Sequence, residues 1–185
     1  FGVAPDFMDA RINVLWADAP GTILPDTTYY ADGHPQKDKL LKKWRESSEA
    51  LLQKFDFSAE EIQDLLDKVL ELDARIAKVV LSREESSEYA KLYHPYEWED
   101  FKALAPNLPL DAIFTQLIGQ IPDQIIVPEE RFWQAADQFY CEEAWPLLKA
   151  VLIFNAIASA EAYLTDEIRV LAGAYRRALS GTPQA

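Results

Sequence analysis

The sequence predicts a mainly α-helical, multi-helix bundle-like domain with a short extended or β segment at its N-terminal end. Three observations carry that expectation. Ile62, Leu65, Val69, Leu72, Ile76 and Val79 recur at alternating steps of three and four, the seam with which helices pack side by side at shallow angles. Further helical patterns follow, including the long apolar stretch from Ala144 to Leu164. Residues 1–36, by contrast, show no helical period and hold one short alternation, "RINVLWA" at 11–17, in which Ile12, Val14 and Trp16 oppose Arg11, Asn13 and Leu15. The expected division is an extended connector with a short strand over 1–36 and a helical domain over 37–185.

Within the connector, "PGTILPDTTYY" at 20–30 packs two prolines, a glycine, an Ile-Leu pair and two adjacent tyrosines into one short stretch. Each proline fixes its own φ and drives the preceding residue to extended geometry. Ile23, Leu24, Tyr29 and Tyr30 gain little by facing water, so the segment is expected to dock on another layer. From Lys37 to Phe55 the positions Leu40, Leu41, Trp44, Leu51, Leu52 and Phe55 share a helical face, with Ser48 where a neighbour can approach closely. The next helix opens at Ser58 with Glu61 three residues on, the capping-box spacing in which each side chain bonds the other's backbone amide. Shorter helices are expected after Pro95 ("YEWEDFKALA") and after Pro109 ("LDAIFTQLIG", closing near Gly119), with an extended piece "DQIIVP" at 123–128. Helices resume over Glu129–Tyr140, Trp145–Ala158 and Asp166–Leu179, the last capped by Thr165. Pro146 belongs in the first turn of its helix, which requires a break near Glu142–Ala144.

Composition excludes several classes. The 185 residues are 49% hydrophobic and 26% charged, in the range of globular proteins. Eighteen Lys and Arg face 31 Asp and Glu, a formal charge of −13, and a phosphate backbone would be repelled by that field. The largest basic cluster is the helix face from Lys37 to Arg45. No nucleic-acid partner is expected. The Ala144–Leu164 stretch approaches the ~20 residues of a membrane span, but Lys149, Asn155, Glu161 and a proline near its start argue for a central helix buried on all sides. Cys141 is the only cysteine, so no intrachain disulfide can form and a reducing compartment fits. The chain starts at Phe1 without the regions of a signal peptide, and is expected to be a fragment of a longer protein.

Candidate chemistry is sparse. His34 and His94 each adjoin a proline in expected loops and lack HExxH or ExxH neighbours. Cys141 has no nearby histidine and, with Trp133, Ala136 and Tyr140, is expected on a buried helical face. Glu60, Glu61, Asp64, Asp67 and Glu71 form an acidic row, but Asp64–Lys68 and Glu71–Arg75 are i, i+4 pairs in the favourable order, the pattern of a solvated face. Trp44, Trp98, Trp133, Trp145, Tyr29, Tyr30, Tyr89 and Tyr93 could line a peptide groove, though at helical spacing core packing is expected. No catalytic, metal-binding or cofactor-binding residue is assigned from these patterns.

Pro20, Leu24, Pro25, Tyr29 and Tyr30 match P-x-x-x-L-P-x-x-x-Y-Y, and this stretch resembles the N-terminal region of the neprilysin-like zinc metalloendopeptidases. The resemblance continues through "VLELDARIAKVVLSREE" (69–85), "YHPYEWEDFKALAPNLPL" (93–110) and "AYLTDEIRVLAGAYRRALSGTPQA" (162–185). Thr27 and Thr28 stand where many relatives carry Arg-Asp, a version similar to the bacterial oligopeptidase O branch. The lone Cys141 cannot supply the disulfides of animal ectoenzymes, which points to a bacterial, cytoplasmic member.

The resemblance implies a parent hydrolase with zinc held by a HExxH helix and a third glutamate, none of which occurs in these residues. It implies that this chain is the noncatalytic helical cap portion, whose partners are the downstream catalytic domain and oligopeptide substrates. The cap would enclose the active-site cavity and restrict substrate size, with the proline-tyrosine segment near the domain junction. The rival expectation is a stand-alone helical binding or adaptor module. A HExxH motif downstream in the parent gene establishes the first, and a stop codon after Ala185 favours the second.

Overall fold

A computed structural model describes residues 1–182, apart from the side chains of residues 161 and 162. The last three residues of the 162–185 block lie outside the described residues. The chain forms two compact units, Phe1–Gly21 with Ile76–Glu142, and Thr22–Arg75 with Glu143–Ala185. The expected boundary at residue 36 falls inside the second. The fold is mainly α-helical with one small sheet.

The first unit is built on four short strands in the order β1-β2-β4-β3. β1 (Gly2–Pro5) pairs antiparallel with β2 (Asn13–Trp16), with Gly2 opposite Trp16 and Pro5 opposite Asn13. β2 meets β4 (Gln124–Ile126) in parallel at Trp16 and Ile126, and β3 (Pro95–Glu97) pairs antiparallel with β4. Both edge strands carry a proline, which removes a ladder donor and discourages further pairing. Ile125, Ile126 and Val127 are buried, and Trp98, Phe101, Phe114, Phe132 and Trp133 form a buried aromatic cluster in the same unit. These rings come from α4 (Trp98–Leu104), α5 (Leu110–Ile118) and α6 (Glu130–Gln134). Trp133 also donates its indole Nε1–H to the Ala17 carbonyl at 2.8 Å, fixing the chain as it leaves β2. α5 ends at Gly119 with φ of 79°, the left-handed conformation that only glycine adopts without strain.

The second unit packs α1 (Lys37–Leu52) and α2 (Ala59–Ile76) with α7 (Trp145–Ser159). Trp44, Leu52, Ile62, Leu65, Leu66, Val69 and Ala150 form its core, and the Trp44 and Phe154 ring centroids lie 5.3 Å apart. Ser47 and Ser48 are buried where α1 faces its neighbours. The start of α2 follows the expected box: Ser58 N–H reaches Glu61 Oε2 at 2.8 Å and Glu61 N–H reaches Ser58 Oγ at 3.2 Å. Ser58→Ala is therefore expected to cost about 1 kcal/mol, read as a lower denaturant midpoint with unchanged m-value. On the opposite face Lys68 pairs with Asp64 and Arg75 with Glu71, while Asp67 binds Arg45 of α1 at 2.7 Å. The acidic row is thus a salt-bridged helix face.

Several expectations are corrected. The α2 seam stops at Ile76 rather than continuing to Val79: turn residues follow, and Ser82 and Glu85 then form a second capping box that starts α3 (Arg83–Ser87). The expected helix over 129–140 is only α6 followed by a 3₁₀ turn at Ala136–Gln138. Cys141 therefore leaves helical register and is half-buried, with Sγ 3.7 Å from the Gln138 carbonyl, rather than part of a buried face. Pro146 does occupy the first turn of α7, after turns at residues 142–144. α7 is not enclosed on all sides: Leu147 and Ala150 are buried, whereas Leu152 is 53% exposed. Among the described residues no helix is long and apolar enough to cross a membrane. The last expected helix divides at Gly173 into α8 (Asp166–Ala172) and α9 (Ala174–Ser180); Thr165 takes the N-cap backbone geometry without a side-chain cap bond. Arg177 folds back to donate to the Val170 carbonyl, and a side chain at 173 would collide with its guanidinium.

Candidate functional site

The proline-tyrosine segment is tied down by one carboxylate. Asp73, on the buried face of α2 in its last turn and 8% exposed, accepts the Ile23 N–H on Oδ1 at 2.7 Å and the Tyr30 hydroxyl on Oδ2 at 2.5 Å. The Leu24 N–H donates back to the Tyr30 oxygen at 3.0 Å, and Tyr175 of α9 donates to the Ile23 carbonyl at 2.9 Å. Thr22, the Leu24 carbonyl, and Lys37 with the Tyr30 carbonyl complete the knot. Asp26 starts the 3₁₀ turn Thr27–Tyr30 by accepting the Thr28 N–H at 2.8 Å. Of the five residues of the sequence pattern, Leu24 is fully buried; Pro25, Tyr29 and Tyr30 are half-buried; and Pro20 is exposed. Tyr29 lies against the His34 ring at 4.2 Å, so neither tyrosine stands free in solvent.

Burial raises the Asp73 pKa above the ordinary carboxylate value, opposed by its two donors. Burial, then the hydrogen bond to Asp73, pushes the Tyr30 phenol well up, and burial beside the same carboxylate pushes Tyr175 up to about 12. An unfolded tyrosine ionises near pH ~10. Between that pH and the folded values the folded state holds more protons than the unfolded state, so stability falls as pH rises. The contribution is fully present below pH ~10 and is lost as pH passes through the folded pKa values. Thermal unfolding followed upward from pH ~8 is expected to show this alkaline loss, and Tyr30→Phe and Tyr175→Phe should each flatten it; an unchanged slope in both refutes the assignment.

The Asp73 knot was missed in the sequence. The available signal was phase: Asp73 follows Leu66 by seven residues and adjoins Leu72, so it shares the apolar seam rather than the acidic row.

The histidines, which the sequence patterns do not assign as ligands, do not converge. His34 packs on Tyr29 and its Nδ1 accepts the Gln36 N–H at 3.3 Å; His94 belongs to the other unit, with Nδ1 4.0 Å from Glu130 Oε2. Among the described residues no group of three His, Cys, Asp or Glu side chains could hold a metal ion. The described residues therefore do not fit a zinc site. Of the aromatic residues considered for a groove, Trp44, Trp98 and Trp133 are core, whereas Tyr89 is 70% and Trp145 51% exposed. Trp145 and Pro146 of α7 line a groove of about 490 Å³ with Phe57, Leu65 and Lys68.

Comparison with known proteins supplies what the side chains alone do not. Residues 1–185 match, from end to end, the N-terminal part of Peptidase family M13. The chain belongs to peptidase family M13. Among M13 relatives, it is 72% identical over its whole length to a Streptococcus gordonii protein named as a zinc metalloproteinase in the scaA 5′ region, and covers 33% of it. It is 37% identical over its whole length to a neutral endopeptidase of Lactococcus lactis subsp. cremoris, covering 29% of that protein. The chain thus spans about a third of the length of the curated relatives it matches. The crystal structure of PEPO from Lactobacillus rhamnosis HN001 superposes with a TM-score of 0.90 at 25% identity, over 100% of this chain and 29% of that one. The Mycobacterium tuberculosis zinc metalloprotease ZMP1 in its open state shares the fold, with a TM-score of 0.81 at 15% identity, over 99% of this chain and 29% of that one.

Proposed function

We propose that this M13 chain is the noncatalytic N-terminal helical portion of a bacterial zinc metalloendopeptidase that cleaves oligopeptides, and that it closes over the active-site cavity and limits substrate size. The observation that carries this reading is the end-to-end family match to relatives about three times its length that are named as a zinc metalloproteinase and a neutral endopeptidase. On this reading the zinc, which would polarise the scissile carbonyl and activate water, is held by the downstream catalytic domain of the same parent. This chain contributes shape. Leu152, Tyr163 and Leu164, at 53%, 90% and 42% exposure, give its second unit apolar surface suited to being covered in the parent. A cytoplasmic location accords with the lone cysteine, Cys141, and with bacterial relatives.

The test compares the full-length parent with the isolated chain 1–185. The parent is expected to cleave quenched fluorescent oligopeptides in a chelator-sensitive manner and to leave folded proteins intact, and the isolated chain to do neither. Stoichiometric zinc with chelator-sensitive cleavage by the isolated chain would overturn the noncatalytic assignment. Equal cleavage of oligopeptides and folded proteins by the parent would overturn the size-selection role.

A further inference from the structure

The basic cluster noted in the sequence resolves into a stripe that nothing in the fold uses. Lys39, Lys42, Lys43 and Glu46 are spaced i, i+3, i+4, i+7 on α1, the spacing that places four side chains along one helix face. All four are exposed. They border a groove of about 560 Å³ whose apolar wall comes from Pro25, Tyr29 and Leu40 on one side and from Ala178 and Leu179 of α9 on the other. Every wall residue belongs to the same compact unit.

Clustering of unpaired charge sets this groove apart: Lys78 and Lys149 also make no ion pair among the described residues but stand singly in the sequence. Lys37, Lys54, Lys68, Lys91 and Lys102 each lie within ion-pairing distance of a carboxylate. Lys39, Lys42 and Lys43 make no ion pair among the described residues, although Asp38 and Glu46 share their helix. A chain of net charge −13 repels acidic molecules from most directions. Here three free ammonium groups face one carboxylate beside an apolar wall. Clustered like charges repel one another, and a bound anionic group relieves that repulsion.

We propose that the α1–α9 groove is a binding site for acidic peptide segments. Carboxylates of an extended peptide meet Lys39 on one side and the adjacent Lys42 and Lys43 about one helical turn, ~5 Å, further along, near the ~7 Å between alternate side chains of an extended strand. An aliphatic or aromatic side chain of the same peptide lies against Pro25, Leu40 and Leu179, the last 40% exposed. The groove volume falls within the range of about 300–1,000 Å³ typical of small ligand sites. It therefore accommodates a few residues of peptide rather than a folded surface.

The experiment uses the full-length parent treated with chelator, so that binding is read without cleavage and its outcome is distinct from that of the peptidase reading. The probe is a fluorescein-labelled hexapeptide of alternating Glu, Asp and Leu or Phe, followed by anisotropy and compared with its Gln/Asn and Lys counterparts. Saturable binding of the acidic probe alone is expected, weakening as salt rises. The triple variant Lys39→Glu, Lys42→Glu, Lys43→Glu is expected to bind about tenfold more weakly or worse. Leu179→Ala should weaken binding at unchanged salt dependence, and Lys78→Glu, in the other unit, should leave it intact. Equal binding by the triple variant overturns the proposal, as does equal binding of the Lys probe. Sedimentation with phosphatidylserine vesicles that depends on the same lysines, without peptide binding, also overturns it and assigns the stripe to a lipid surface.

Discussion

Asp73→Ala is expected to destabilise the unit containing Thr22–Arg75 by about 3 kcal/mol, because it strips the acceptor from two donors at once. Ile23 N–H and the Tyr30 hydroxyl converge on this carboxylate at 2.7 and 2.5 Å. With Asp73 only 8% exposed, water reaches the vacated position poorly, and each unsatisfied buried donor costs about 1–3 kcal/mol. Asp73→Asn keeps one acceptor oxygen and should lose roughly half as much. Denaturant unfolding measures the totals, and the Asp73→Ala/Tyr30→Phe cycle should give a coupling of about 1 kcal/mol or more because the two residues are in direct contact. Hydrogen exchange at the Ile23 and Leu24 amides should accelerate in both Asp73 variants, since the segment is held there through its own backbone. An unchanged unfolding midpoint in Asp73→Ala would refute the anchoring role.

The two capping boxes show where sequence reasoning works and where it stops. Ser58 and Glu61 precede an apolar seam, so the helix start was legible from a purely local pattern. Ser82 and Glu85 have the same spacing, yet they follow a seam that could have run on to Val79, and their meaning as the start of α3 was hidden by the assumed continuation. Gly119 and Pro146 were legible because each permits few backbone geometries. β1 and β3 were not. Each is four residues or fewer, and the sheet depends on partners as distant as Trp16 and Ile126, which no local pattern specifies. α7 failed for a different reason: apolar composition alone cannot distinguish a helix buried within its own chain from one that leaves Trp145 and Leu152 open. At the candidate site, the apolar and proline content of 20–30 correctly announced a docked segment, but the identity of its anchor required knowing which face of α2 it meets.

In the other unit the largest single loss is expected at Trp133. Its side chain is 4% exposed, and its ring centroid lies 5.1 Å from Phe1, 5.0 Å from Phe101 and 5.5 Å from Phe132. Trp133→Ala removes the junction of that cluster and leaves a cavity which the surrounding rings, held at the N-terminus, on α4 and on α6, cannot fully collapse. A cost of about 4 kcal/mol follows, equivalent to a fall in Tm of roughly 10 °C for a chain of this size. The same change orphans the Ala17 carbonyl, which the indole Nε1–H reaches at 2.8 Å where the chain leaves β2. Trp133→Phe separates the two effects: it retains most of the aromatic packing but loses the hydrogen bond, and should cost about 1–2 kcal/mol. Thermal unfolding monitored by near-ultraviolet circular dichroism reads the loss, because the signal of Trp98, Phe101 and Phe114 depends on the geometry that Trp133 holds. A destabilisation below ~1 kcal/mol in Trp133→Ala would mean that the cluster repacks freely. The aromatic cluster would then be a plastic core rather than the rigid support on which the four short strands depend.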